Sequence, residues 1–477
     1  MVSLSEFFIY NTINQKKEVF KPITPGKIKL YVCGITVYDY CHIGHARVSI
    51  AFDAIVKYVT WLGYDVTYVR NITDIDDKII DRANANQESI EVLTQRFIEL
   101  MHEDFQRLGI DLPSIEPKAT HHMPHILDMI QVLLDKKLAY IGQDGDVYFS
   151  VEQYPPYGEL SHRKLEDLRA GERVEMVQSK HSPYDFVLWK KAKAGEPSFE
   201  AHWGSGRPGW HIECSAMATH CLGNTIDIHG GGFDLIFPHH ENERAQSEGA
   251  TGEHFVNYWM HVGFVQVDDQ KMSKSLKNFF SIREVLEIYH PEVVRFFLLS
   301  SHYRSPINYS QEGLENAKNG LERLYLALNA VWQPNFVSYK QLADADKIVI
   351  QPYYDKFTQA MNDDFNTPLA MAGLFELAKE MNLTKNKILA IGLLELSGAI
   401  GLLLSVPEKY LKSFKSFKKS ESDQLILDEK TIEKMIIDRA QARLKQNFSE
   451  ADRIRKDLES KGIIIEDTKD GTSWRRG

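Results

Sequence analysis

Apolar residues alternate from Ile28 to Cys33, as in a buried strand, and then recur at Ile50, Ala54, Ile55, Tyr58, Val59 and Leu62 with helical spacing. A second apolar run, Val66 to Ile72, reads as another strand. Strand, helix and strand in that order make a crossover unit, which lays its two strands parallel in one sheet. A ligand site is expected at the carboxyl ends of such strands. The first turn carries no G-x-G-x-x-G, so an ordinary dinucleotide site is not expected.

Farther along, Met123 to Lys137 reads as helix. Val147 to Ser150 and the Tyr-, Pro- and Gly-rich stretch Tyr154 to Gly158 read as a hairpin and loops. Residues 120–200 are taken as an insertion that divides a sheet domain into a first half, 1–119, and a second half, 201–255. In the second half a strand at Asn224 to His229 runs into Gly230, Gly231 and Gly232, and a helix is expected from about His239 to Glu248. Residues 256–310 form a region of their own. From Gln311, the positions Leu314, Ala317, Leu321, Leu324, Leu328 and Val331 step by three and four, an amphipathic helix. Similar patterns at Ala343 to Met361, Pro368 to Met381 and Lys385 to Leu404 predict a helical bundle over 311–405. Ser405 to Asp423 is Lys/Ser-rich and reads as a linker. One helix, Thr431 to Ser460, and one strand, Ile463 to Glu466, complete a terminal module within 406–477. The fold class is α/β: a Rossmann-like parallel-sheet domain with an insertion, then an α-helical bundle and a small α+β C-terminal module.

Composition narrows the setting. A chain of 477 residues with 43% hydrophobic and 26% charged residues is that of a globular protein of about three domains. No apolar run approaches the roughly 20 residues of a membrane span, and from Met-Val-Ser-Leu-Ser-Glu at the start no secretory leader is expected. Cys33, Cys41, Cys214 and Cys221 are too few for a disulfide framework. A cytoplasmic protein with no membrane partner is expected. The net charge of −10 is uneven: residues 406–477 carry 17 Lys and Arg against 14 Asp and Glu. A basic tail on an acidic body leaves room for a nucleic-acid footprint.

Two short segments carry the chemistry. Cys-His-Ile-Gly-His, Cys41 to His45, lies between the first strand and its helix. Gly44 lets a nucleotide lie against the turn, and His42 and His45 stand at a helix N-terminus, where anions are favoured. Taken alone, such a pair is more often a helix cap. The second segment is Lys-Met-Ser-Lys-Ser, Lys271 to Ser275. Alone, a Lys-x-x-Lys loop is usually a solvated basic face. In this order the two describe a triphosphate clamped from two sides. Separately, Cys33, Cys214, His239 and Glu243 are candidate soft-metal ligands, two thiolates, an imidazole and a carboxylate. His240 competes with His239, because either meets Glu243 on an ideal helix.

The paired segments resemble the signature of class I aminoacyl-tRNA synthetases. Gly206 to Met217, Asn71 to Lys78, Pro238 to Glu243 and the ending Glu466 to Arg476 narrow the resemblance to the cysteinyl-tRNA synthetases of the bacterial type. The resemblance covers essentially the whole chain. It implies cysteine activation by ATP and transfer to tRNA(Cys), with His42, His45, Lys271 and Lys274 catalytic. It places ATP at His42, Gly44, His45, Gly231, Asp234 and Lys274, with Mg²⁺ on the phosphates. It implies one zinc ion on Cys33, Cys214, His239 and Glu243, and a cysteine pocket lined by Thr73, Trp210 and His229. Residues 256–310 would carry the mobile lysine loop and face the tRNA stem. For the terminal module it implies anticodon reading, for which Arg443, Asp452, Asp467 and Trp474 are the candidates. A monomer is expected, since no dimerisation element stands out. Two alternatives remain at this point: a cysteine ligase that transfers the adenylate to a small amine, and a catalytically dead tRNA-binding paralogue.

Overall fold

The computed structural model describes residues 6–164, 179–193, 195–267, 270–271, 279–413, 427–468 and 471–476. Its contacts divide into two compact units, one formed by Met1–Ile282, Leu298–Ser310 and Thr358–Ala370, the other by Arg283–Phe297, Gln311–Phe357 and Met371–Gly477.

The first unit begins with an antiparallel pair, β1 (Phe8–Asn11) and β2 (Lys16–Val19). The crossover follows as β3 (Lys27–Thr36), α1 (Ile43–Trp61) and β4 (Asp65–Thr73). Helix α1 turns Ile43, Ala46, Ile50, Ala54, Tyr58 and Val59 inward, and Gly63 at φ 101° lets the chain leave it toward β4. Helices α2 (Asp77–Asn86), α3 (Ile90–Arg107) and α4 (Met123–Asp135) come next. The inserted sheet is β5 (Ala139–Ile141), β6 (Val147–Phe149), β7 (Phe186–Lys191) and β8 (Gly206–Pro208), paired antiparallel in that order. Its last strand lies beyond the expected insertion boundary at 200. Trp189 pairs with Pro208 across the final two strands, so residues 206–208 belong to this sheet by hydrogen bonding.

After α5 (Trp210–Leu222) the chain returns to the parallel sheet through β9 (Ile226–Gly232), α6 (Glu241–Thr251) and β10 (Val256–Val262). The order is β10-β9-β3-β4, with every pair parallel. Strand β9 runs through the three glycines instead of ending at His229. The expected helix at His239 starts only at Glu241, because Phe237, ahead of Pro238, takes extended angles (φ −138°, ψ 132°) and kinks the approach. Tyr31, Val69, Met217, Ile226 and Trp259 pack one core beside this sheet, and Ile126, Ile130, Leu133, Phe149 and Trp189 another beneath the insertion. Strands β11 (Val265–Val267), β12 (Gln270–Lys271) and, later, β13 (Ile307–Asn308) make a small sheet.

The helical part comprises α7 (Ile282–Ile288), α8 (Pro291–Leu299), α9 (Gln311–Asn329), α10 (Asp344–Asn362), α11 (Thr367–Thr384) and α12 (Lys387–Gly398). Two expectations are corrected beyond it. Pro407–Ser413 is a helix, α13, with Tyr410 and Leu411 buried, inside the stretch taken as linker; the rest of that stretch, 414–423, lies outside the described residues. The single terminal helix is two, α14 (Glu429–Leu444) and α15 (Phe448–Ser460). Gln446 at φ 58° turns the chain between them, and the Asn447 side chain caps α15. The strand expected there is a hairpin, β14 (Ile463–Thr468) with β15 (Gly471–Arg476).

Candidate active site and metal centre

The register of β3 shifts between Val32 and Ile35, so Cys33 and Gly34 occupy an irregular step at the carboxyl end of the strand. Such a step re-aims a side chain. Gly34 is required there: a Cβ would stand 1.6 Å from the Asn71 carbonyl oxygen on β4. Cys33 is directed toward α5, which carries Cys214, and α6, which carries Glu243; its Sγ lies 3.9 Å from Cys214 Sγ and 3.2 Å from Glu243 Oε1. His239, in the kink before α6, brings Nε2 to 2.9 Å from Glu243 Oε1. The ligand atoms of Cys33, Cys214, His239 and Glu243 all lie within 4.8 Å of one another, and all four residues are buried.

Burying these groups without a counter-ion would be costly. Their protonation reflects that. Burial, then the thiol of Cys214, pushes the Cys33 thiol well up. Hydrogen bonding with Cys33 lowers Cys214 to about 6, against the opposing effect of burial. Burial is the largest single influence and works against a charged His239, yet the Glu243 carboxylate and the Cys214 sulfur together outweigh it and raise the imidazole to about 10. Two thiols, an imidazole and a carboxylate converging in a dry pocket suit a zinc ion, whose charge would take the place of those protons.

A second set, Cys33, His229, His240 and Glu243, meets the same distance criterion. Their imidazoles differ in hydrogen-bond partners. His229 Nε2 lies 2.8 Å from Glu243 Oε2, the oxygen turned away from Cys33, and so braces the carboxylate. His240 Nδ1 lies 2.7 Å from His261 Nε2, and His261 Nδ1 lies 2.7 Å from Thr12 Oγ1. His239 Nδ1, in turn, lies 2.8 Å from His211 Nδ1. Metal-bound imidazoles commonly give their other ring nitrogen to such an outer partner. His211 and His261 were not singled out in the sequence: His211 lies inside the quoted segment Gly206 to Met217, and His261 lies in an apolar strand with no local signal.

The expected pocket residues border this group. Trp210 begins α5, is 40% exposed, and holds its ring 4.3 Å from that of His239. Thr73 is buried at the end of β4 and hydrogen-bonds Glu213, whose carboxyl burial pushes well up. His229 is buried between the rings of Tyr31, at 5.1 Å, and Trp259, at 4.7 Å.

His42 and His45 do cap α1. Each ring Nδ1 accepts the other's backbone N–H at 3.3 Å, and the rings stack at 3.6 Å. Capping and phosphate chemistry are compatible here: with Nδ1 the acceptor, the proton sits on Nε2 of both rings, as a pair of donors at a helix N-terminus. The chain that follows the lysine segment is pinned to this turn. Ile43 N–H donates to Phe280 O at 3.1 Å, Ile282 N–H to Cys41 O at 2.8 Å, and Phe279 packs its ring 5.0 Å from His42. Lys271 lies in β12 opposite Gln266; Lys274 lies outside the described residues. Gly231 is buried in β9, where a Cβ would stand 2.8 Å from the His240 ring, and Asp234 is exposed just beyond.

In the terminal module Asp467 is held by a fork from Arg439 at 2.8 and 2.9 Å, by Arg443 at 2.6 Å and by Thr472 at 2.8 Å. These partners keep its carboxyl well below the usual range. Asp452 is exposed. Trp474, expected as a surface for a base, is 8% exposed and packs with Ile432, Ile454, Leu458 and Ile463 in the core of the module. Arg439 was missed, for a single Arg on a helix gives no signal.

Comparison with known proteins agrees with this layout. The model for the class I (C) tRNA synthetase catalytic domain matches residues 19–319, that for the DALR domain 356–404, and that for the cysteinyl-tRNA ligase anticodon binding domain 429–475. The cysteine–tRNA ligase of Hydrogenovibrio crunogenus is 56% identical over 468 residues, 98% of this chain and 99% of that protein. That of Thioalkalivibrio sulfidiphilus is 55% identical over 475 residues, with the same coverage. Among solved structures, methionyl-tRNA synthetase of Mycobacterium tuberculosis with methionyl-adenylate aligns at TM-score 0.57 and 15% identity, covering 78% of this chain and 89% of that one. The leucyl-tRNA synthetase of Agrobacterium radiobacter aligns at TM-score 0.58 and 12% identity, covering 82% and 85%. These two show the fold.

Proposed function

The chain belongs to the cysteine–tRNA ligases of the class I tRNA synthetase family, and on that basis we propose the following division of labour at its site. The enzyme activates cysteine with ATP and esterifies the terminal adenosine of tRNA(Cys). The observation that carries the reading is the convergence, at one end of one parallel sheet, of the His42–His45 turn and the buried Cys33, Cys214, His239 and Glu243.

In activation a carboxylate oxygen of cysteine attacks the α-phosphorus of ATP in line. The new P–O bond forms as the bond to the β-phosphate oxygen breaks, and pyrophosphate leaves with both electrons. His42 and His45 donate from Nε2 to the phosphate oxygens as charge grows there. Lys271 and Lys274 neutralise charge on the triphosphate, and Mg²⁺ brought with ATP would add to that neutralisation. Gly44, with no side chain, lets the nucleotide lie against the turn, and Gly231 and Asp234 complete its site. In transfer the 2′-hydroxyl oxygen of the terminal adenosine attacks the adenylate carbonyl carbon, the bond from that carbon to the phosphate oxygen breaks, and AMP leaves with the electron pair while the hydroxyl proton passes to its phosphate.

Cys33, Cys214, His239 and Glu243 would hold zinc, which would supply there a Lewis acid that accepts a thiolate far more readily than a hydroxyl. His229 and His211 fix the carboxylate and imidazole that face it. Trp210 and Thr73 close the side-chain pocket, so serine meets a site built for sulfur and no editing domain is needed. Arg443, Asp452 and their neighbours present the polar face of the anticodon module. We read the protein as a cytoplasmic monomer; among the described residues no helix is long and apolar enough to cross a membrane.

The test is transfer of labelled cysteine, with serine as control, to bulk bacterial tRNA with ATP and Mg²⁺. Cysteine-only label in acid-precipitable RNA is expected. Adenylate without labelled RNA would favour the small-amine ligase, a reading already weakened by the matched anticodon domain. No adenylate would leave a dead paralogue.

A further inference from the structure

The turn between α10 and α11, Asn-Asp-Asp-Phe-Asn-Thr-Pro at Asn362 to Pro368, takes no part in the site described above. Within it Asp364 and Phe365 stand in succession at φ 61° and 54°, the left-handed region. Neither is glycine, and such a pair persists only where its surroundings hold it. Phe365 is buried against the rings of Phe7 and Tyr58, at 5.6 and 6.3 Å. Asp364 is fully buried, and its carboxylate gathers three donors from two other parts of the chain. The Tyr10 N–H of β1 and the Tyr303 hydroxyl donate to Oδ1 at 2.8 and 2.7 Å, and Arg304 Nε donates to Oδ2 at 2.7 Å. Thr367 Oγ1, closing the same turn, donates to the Leu299 carbonyl oxygen at 2.7 Å. A buried carboxylate paired in this way is costly to disturb and fixes the groups around it.

The segment that Asp364 grips, His302 to Arg304, is held from another direction by α1, the helix that begins at the His42–His45 turn. Arg47 on that helix is buried and donates to the carbonyl oxygens of His302, at 2.7 Å, and Leu298. The same segment and the residues after it seat β11. The Tyr303 carbonyl oxygen accepts the Gly263 N–H at 2.8 Å, Phe264 O accepts the Ile307 N–H at 2.9 Å, and Gln266 O accepts the Tyr309 N–H at 2.7 Å. The approach is close, for a Cβ on Gly263 would stand 2.5 Å from the Ser305 carbonyl carbon. Strand β11 then pairs with β12, where Gln266 faces Lys271. We propose that Asp364 is a positioning residue for the activation step: it sets residues 302–304 against α1, and through Tyr303 it sets the strand that carries the chain to Lys271. The inference rests on the role given to Lys271 in the proposed function. Buried as it is, Asp364 acts only through these contacts. Charge stabilisation depends on placement, and a shift of about 1 Å from a distant substitution can cost about a hundredfold in rate.

The experiment measures cysteine-dependent pyrophosphate exchange by the full-length chain and two variants. In Asp364→Asn the amide oxygen can still accept from Tyr10 and Tyr303, but its NH₂ then faces the Arg304 donor. Tyr303→Phe keeps the ring and removes only the hydroxyl, so it decides the matter if Asp364→Asn fails to fold by circular dichroism. Expected is a fall in kcat of about tenfold or more in Asp364→Asn and about fivefold in Tyr303→Phe, with KM for cysteine and zinc content per chain unchanged, since neither substitution touches the metal centre. A kcat within about twofold of wild type in a folded variant would overturn the inference. A purely structural role is separated by a double-mutant cycle. In a Lys271→Ala background the further effect of Asp364→Asn should shrink to within about twofold, and fully additive losses would overturn the inference. A wild-type chain that exchanges no pyrophosphate would overturn the proposed function, and this inference with it, whereas wild-type exchange with unaffected variants overturns this inference alone.

Discussion

His211→Leu probes the outer layer of the proposed metal centre without touching any of its four proposed ligands. With a metal on His239 Nε2, the Nδ1 proton must donate to His211 Nδ1, 2.8 Å away. Loss of solvent, with the positive His239 beside it, holds the His211 pKa well below its ordinary value, so that ring is a neutral acceptor. Leucine fills similar space and accepts nothing. The stranded N–H in a buried pocket costs about 1–3 kcal/mol, and at 1.4 kcal/mol per decade this is about 5- to 150-fold in zinc affinity. Outer-layer substitutions at other metal centres fall in the same span, about 10- to 100-fold. Competition with a chromogenic chelator measures the affinity, and cysteine-dependent pyrophosphate exchange at saturating zinc shows that the site still works once loaded. His211→Gln, whose amide oxygen can accept, should recover most of the loss. Zinc affinity within a factor of about two of wild type in His211→Leu would refute the reasoning, because His239 would then need no outer partner.

Three further outcomes are expected. Cys214→Ser should abolish cysteine activation while far-ultraviolet circular dichroism stays near wild type; unchanged activation would remove zinc from the mechanism. Zinc binding should release protons, because His239 is raised to about 10 and Cys33 is raised while Cys214 is lowered to about 6. At pH 7 the first two hold protons and the third has largely lost its own, so about two leave per metal and affinity falls about a hundredfold for each pH unit lowered; calorimetry in buffers of different ionisation enthalpy counts them, and a count of zero would contradict the protonation pattern. Truncation before Val406 should spare adenylate formation and weaken tRNA charging, and equal charging by both forms would show that the terminal module reads no tRNA.

The crossover of β3, α1 and β4 was legible because its periods are clean and uninterrupted. The centre built on it was only partly so. Cys33, Cys214, His239 and Glu243 come from a strand, two helices and a kink, with up to 210 positions between partners in contact, and no spacing rule spans such distances. The helical argument that sets His239 beside Glu243 reaches a contact the structure contains, but on an inexact basis. Phe237 breaks the helix, His239 precedes the regular turns, and the two side chains meet because the kink delivers them. Periodicity also could not separate His239 from His240, since what distinguishes them is the outer partner, His211 for one and His261 for the other.

The terminal module shows the opposite failure, where local pattern was trusted too far. Apolar spacing continues from α14 into α15, and the break at Gln446 uses neither Gly nor Pro, so one helix was read where the chain turns back. Lys and Ser between 405 and 413 masked Tyr410, which stacks on Tyr325 at 3.7 Å and makes α13 part of the packed structure. Trp474 follows from the same fold. Once α15 packs beside α14, a hairpin must cover their apolar face, and Trp474 at its centre is the largest side chain available to do so. A residue drawn into that core cannot also offer its face to a base. The candidates that stay on the surface of this module are exposed polar groups such as Asp452, and Arg443, which is half exposed even while paired with Asp467. Substituting Arg443 should lower charging with little change in folding, whereas Trp474→Ala should first unfold the module, by about 3–5 kcal/mol.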